Sequence, residues 1–178
     1  MWHRLLMASG ILTALVSAPL LGGQGVKPTR DQAYVAFEPL KVITVTPGHS
    51  TEVRFTFHIR SGYYINSEKP TAADLLPASL GFSPPQDVII AKVHYPAGPL
   101  VEFSFDPGKK LSVYSGDATI RAVIIAQRKA VPGNYTVHGE FRYQACDVNA
   151  MYPPEKVPVQ FDLKVSKAAG SSRPGRIS

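Results

Sequence analysis

The amino-acid sequence predicts an all-β protein built as an antiparallel β-sandwich, and three observations carry that prediction. First, two segments alternate strictly: Val53, Phe55, Phe57 and Ile59 with Arg54, Thr56, His58 and Arg60, and Val157, Val159, Phe161, Leu163 and Val165 with Gln160, Asp162 and Lys164. Successive side chains of a strand point to opposite faces, so a period of two means one dry face and one wet face. Second, turn residues recur between the apolar segments, at Pro47-Gly48-His49-Ser50, Asp106-Pro107-Gly108-Lys109-Lys110 and Pro132-Gly133-Asn134,. Third, no segment places its apolar residues at helical spacing. Eight or so short strands separated by turn signals read as a sandwich.

Taken in order, Ala33 to Phe37 and Leu40 to Thr46 are extended pieces, and Pro39 between them suits an edge. The alternating strand from Thr51 ends at Ser61-Gly62, which turns the chain into Tyr63 to Ser67. Pro70 to Pro85 holds four prolines, Pro70, Pro77, Pro84 and Pro85, and is expected to be irregular, with at most one helical turn at Ala72 to Leu76,. Leu75, Leu76 and Leu80 are expected to cover a sheet edge. Val88 to Tyr95 and Leu100 to Phe105 read as a strand pair joined through Pro96-Ala97-Gly98-Pro99. Leu111 to Tyr114 resumes the sheet, and Thr119 to Gln127 is a nearly continuous apolar strand. Tyr135, Val137, Gly139, Phe141 and Tyr143 then alternate with polar residues up to Cys146, before the final strand from Val157.

The termini set the compartment. Met1 to Arg4 is basic, Leu5 to Leu21 is apolar, and Gly22-Gly23-Gln24-Gly25 is small, the three parts of a secretory signal peptide over residues 1–25,. A membrane span needs about 20 unbroken apolar residues. This run is interrupted by Ser9, Gly10, Thr13, Ser17 and Pro19, so no membrane span is expected after signal cleavage. Residues 26–166 are one domain's worth of chain, and 167–178, rich in Gly, Ser and Arg, form a tail expected to be disordered. The location implied is periplasmic or secreted. A net charge of +6 is spread along the chain, whereas a nucleic-acid binder clusters its cations among aromatics, so nucleic acid is not an expected partner,.

The chain has one cysteine, Cys146, in the stretch Arg142 to Pro154. In an oxidising compartment it is a free thiol, an intermolecular link or a buried small hydrophobe. Asp147 beside it raises the thiol's pKa by like-charge proximity. Cysteine, methionine and histidine together suggest copper, yet blue-copper sites want two imidazoles, and no histidine lies between Cys146 and Met151 while His58 and His138 occupy polar strand faces. No metal and no cofactor is expected. Nucleophile elbows and cysteine-protease signatures are absent from the sequence. The sequon Asn134-Tyr135-Thr136 carries a glycan only in a eukaryotic secretory route.

Tyr143-Gln144-Ala145-Cys146-Asp147, a short polar turn and Tyr152-Pro153-Pro154, together with Gly62-Tyr63-Tyr64-Ile65-Asn66-Ser67, resemble the N-terminal periplasmic domain of the thiol:disulfide interchange protein DsbD. The resemblance spans roughly Asp31 to Val165. It implies an immunoglobulin-like arrangement of the sandwich and partners that are thioredoxin-fold or other periplasmic proteins. It also implies that Cys146 is a redox thiol, that an aromatic ring from Phe103-Ser104-Phe105-Asp106, taken as Phe105, caps it, and that Tyr64, Tyr143, Asp147 and Tyr152 line the same groove. In the family a second cysteine stands before the Tyr-Pro-Pro step and pairs reversibly with the first. Met151 occupies that position, and a thioether cannot attack or resolve a disulfide. Three readings stay open: a protein-binding module that has lost dithiol exchange, a one-cysteine redox protein whose partner supplies the resolving thiol, and a copper-binding module.

Overall fold

Eleven strands and no helix account for residues 33–167, the part of the chain described by the computed structural model. The strands are β1 Val35–Phe37, β2 Ile43–Val45, β3 Ser50–Ile59, β4 Tyr64–Asn66, β5 Ser79–Ser83, β6 Val88–His94, β7 Leu100–Glu102, β8 Lys110–Tyr114, β9 Asp117–Ala126, β10 Gly133–Cys146 and β11 Met151–Val165. They form a four-stranded sheet in the order β1-β3-β9-β6 and a larger sheet in the order β2-β11-β10-β4-β8-β7, with β5 also on β10. The architecture is an immunoglobulin-like β-sandwich. The predicted signal peptide lies outside the described residues, as does the predicted tail beyond Lys167.

The alternation read from the sequence is what builds the core. Val53, Phe55, Phe57 and Ile59 of β3 and Val159, Phe161, Leu163 and Val165 of β11 are buried, while Arg54, His58, Gln160, Asp162 and Lys164 are exposed. These inner faces meet between the sheets, where the rings of Phe57 and Phe141 stack at 4.0 Å and Phe55 meets Phe161 edge-on at 5.6 Å. Such aromatic contacts add to the area they bury. β9 lies in the middle of the smaller sheet, between β3 and β6, and buries Ala118, Ile120, Ala122, Ile124 and Ala126 on its inner face while Arg121 is exposed on the other.

Two expectations need correction. Val88–His94 and Leu100–Glu102 do not pair with each other: β6 joins β9 in the smaller sheet and β7 joins β8 in the larger one. Pro96 to Pro99 is therefore a crossover between sheets, and its two prolines lack the donors a hairpin would use. The stretch from Pro70 to Pro85 is not irregular throughout, because Ser79–Ser83 pairs with β10 and buries Leu80. Tyr152-Pro153-Pro154, which follows the hairpin turn, lies inside β11. Prolines fit there because, among the described residues, β2 covers β11 only at Leu163 to Val165 and the earlier outer edge has no strand partner,. That β2 to β11 pair is also parallel, the exception in an otherwise antiparallel sandwich.

Candidate functional site

The outer face of the larger sheet carries a second, smaller apolar cluster. Strand alternation places Ala145, Ile65 and Tyr114 in the inter-sheet core and turns their neighbours Cys146, Tyr64 and Val113 the other way,. Cys146, Phe103, Leu111 and Val113 are its buried members, with Tyr64, Leu75, Val101, Phe105 and Met151 packed around them. Two loops cover this face. The loop from Ser67 to Ala78 brings Leu75, and it is fastened where Leu76 N donates to Gln144 Oε1 (3.3 Å) and Asn66 Nδ2 donates to Leu76 O (3.1 Å). The loop after β7 brings Phe103 and Phe105, and it is fastened where Ser104 Oγ donates to Val148 O at the tip of the cysteine hairpin.

That hairpin joins β10 to β11. Asp147 N donates to Ala150 O (3.0 Å), and Cys146 lies directly opposite Met151 in the register. With 147 and 150 sharing the hydrogen bond, Cys146 and Met151 form the next, non-hydrogen-bonded pair, in which Cα atoms lie about 4.5 Å apart and side chains share a face. The Asp147 carboxylate organises the turn. Its Oδ1 accepts from Asn149 N (2.7 Å) and Ala150 N (2.9 Å), and its Oδ2 accepts from the Tyr152 hydroxyl (2.6 Å). These bonds, the one from Tyr152 foremost, hold its pKa below the usual carboxylate range, and the same bond pushes Tyr152 up to about 12.

Cys146 has no exposed surface. Burial first, and the charge of Asp147 second, push its thiol up to about 11, so at neutral pH it is protonated and a poor nucleophile,. Phe103 is the ring buried in its cluster; Phe105 stacks on Phe103 at 5.2 Å as an outer layer, and Tyr64 meets Phe103 edge-on at 5.1 Å. The structure thus places Phe103 in the buried cluster with Cys146 and the expected capping ring, Phe105, outside it, and strand pairing adds Leu111 and Val113, which the sequence does not single out. Tyr143 is not brought to the thiol. It points into the main core, where its hydroxyl donates to Glu155 Oε2 (2.8 Å), and burial raises its pKa well above the ordinary value. Tyr152 also packs on the main core, stacked with Tyr34 at 5.0 Å, and its side chain reaches the site through the hydroxyl bond to Asp147.

Among the described residues no cluster of three His, Cys, Asp or Glu side chains could hold a metal ion, and His58, His94 and His138 are exposed. Met151 can supply no proton and no thiolate, so the hairpin as it stands cannot run a dithiol cycle.

The molecule is an immunoglobulin-like sandwich that carries a thiol hairpin under an aromatic-bearing loop on the outer face of its larger sheet. The chain belongs to the family of the N-terminal domain of the thiol:disulfide interchange protein DsbD, whose sequence profile matches residues 31–163. Among solved structures it is similar to the reduced DsbD N-terminal domain of Neisseria meningitidis, at 23% identity and a TM-score of 0.40 over 64% of this chain and 76% of that one. It is also similar to a structure of the complex between the DsbD N-terminal and PilB N-terminal domains from that organism, at 22% identity and a TM-score of 0.39 over 62% and 73%. Comparison with curated proteins gives no match. No helix among the described residues is long and apolar enough to cross a membrane.

Proposed function

We propose that this chain is a periplasmic protein-binding module of the DsbD N-terminal family in which two-cysteine exchange has been lost. The observation that carries the reading is the pair Cys146 and Met151: the register sets a thioether opposite the thiol, where exchange needs a second sulfur able to form a disulfide,. The partner class, thioredoxin-fold or other periplasmic proteins, comes from family membership. The one-cysteine alternative needs a thiolate, and a fully buried thiol pushed up to about 11 weighs against it.

Substitution tests the reading directly. Wild type should bind a thioredoxin-fold partner equally well with and without reductant, bind it still as Cys146→Ala, and show no dithiol turnover. Met151→Cys should oxidise to a species with no alkylatable thiol, since a non-hydrogen-bonded pair lies within the roughly 4.4–6.8 Å Cα range of disulfides. Binding that needs Cys146 and vanishes in reductant would instead establish the mixed-disulfide protein. Failure of Met151→Cys to close would show that the hairpin does not hold the geometry of an exchange pair.

A further inference from the structure

The thioether that replaces the second cysteine has a chemistry of its own. Met151 is half-buried, and it helps to line a surface pocket of about 360 Å³ together with Thr71, Asp74, Leu75, Phe105 and Lys110. Its other side packs on the cluster that buries Cys146. Two sulfurs therefore sit opposite each other across one hairpin, one reachable from solvent and the other closed off. A thioether reacts through a lone pair and needs no deprotonation, whereas a thiol reacts with oxidants as the thiolate.

From this contrast we propose that Met151 is an oxygen-atom acceptor for peroxides and hypohalous acids, and that its sulfoxide unmasks Cys146. In the first step the Met151 sulfur lone pair attacks one peroxide oxygen. The O–O bond breaks, an S–O bond forms, and the departing hydroxide takes the remaining proton to leave water. Sulfur is oxidised by two electrons and the peroxide reduced by two. The product is a polar, chiral group on a surface made by Phe103, Phe105 and Leu111,. None of these side chains offers it a hydrogen bond, so the sulfoxide oxygen turns from the closed packing toward water and the Lys110 side of the pocket,. The β7 loop, tied to the hairpin through Ser104 and Val148, loses the apolar contact beneath it and opens. Cys146 then becomes accessible to a disulfide or alkylating agent. A methionine sulfoxide reductase, which passes the oxygen to a dithiol, restores the closed form.

Met151 is the only methionine beyond residue 7, so the readout is unambiguous. The full chain is treated with limiting hydrogen peroxide and mapped by peptide mass, and alkylation of Cys146 is timed before and after. The expected result is one added oxygen at Met151 with Cys146 unmodified, and alkylation about tenfold faster or more, as when a small local opening is eased. Reductases of both epimer specificities should return the slow rate. Met151→Leu should fold and stay slow after peroxide, while Met151→Gln should be fast without it. Oxidation of Cys146 ahead of Met151 would overturn the proposal. So would an oxidised Met151 with an unchanged alkylation rate, or acceleration in Met151→Leu. None of these outcomes depends on whether a thioredoxin-fold partner binds.

Discussion

Cys146 illustrates how much of a residue's chemistry is set by neighbours distant in sequence. The adjacent Asp147 is visible in the sequence, and its effect on the thiol has the expected sign. Burial is the larger cause, and it comes from Phe103, Leu111 and Val113, which only pairing of β4 with β8 and β10 brings into place. No local pattern announces that. The shift also sets a pH dependence. A thiol's ordinary value is about 8.5, and in the folded protein it is about 11, so the folded state holds its proton where the unfolded chain has released it. The resulting stability is fully present below about pH 8.5 and is lost as the pH rises toward 11. Thermal melts between pH 8 and 11 should therefore fall more steeply for wild type than for Cys146→Ala. Parallel profiles would mean that the thiol titrates as it does in water.

Elements with strong alternation were legible, and those fixed by backbone approach were not. β3 and the second half of β11 follow from their period of two. β5 escaped because Ser79-Leu80-Gly81-Phe82-Ser83 is short, carries a glycine and sits between prolines. Its place on β10 depends on Gly139, where a Cβ would lie 2.4 Å from Gly81 O and 2.6 Å from Phe82 Cδ1. The nearest obstacle is backbone, which cannot swing aside as a side-chain tip can. Gly139→Ala should accordingly cost about 1–3 kcal/mol in urea unfolding, the usual range for overpacking. Gly81→Ala, with nothing within 4 Å of its Cβ, should cost much less. Equal losses would mean that β5 is not pressed against β10 as described. The pairing of β6 and β7 was misread for a related reason: two extended runs joined by four residues look like a hairpin, and only the absence of donors at Pro96 and Pro99 argues otherwise.

At the scale of the whole molecule, the two apolar clusters have no member in common. The large one joins both sheets, and the small one lies beneath the loops of one outer face. Amides of β3, β9 and β10 should exchange with solvent only through global unfolding, while those of β7 and residues 103–109 should exchange through cheaper local openings. Native-state hydrogen exchange across a urea series would show two families of amides, and a single merged family would contradict the separation. The separation bears on descent as well. A lineage that alters the small cluster leaves the framework's own packing untouched, so a sulfur can be exchanged for another without the protein first having to survive a loss of folding. Cys146 and Met151 both lie in that small cluster, so either sulfur can be changed without loosening the contacts that hold the two sheets together.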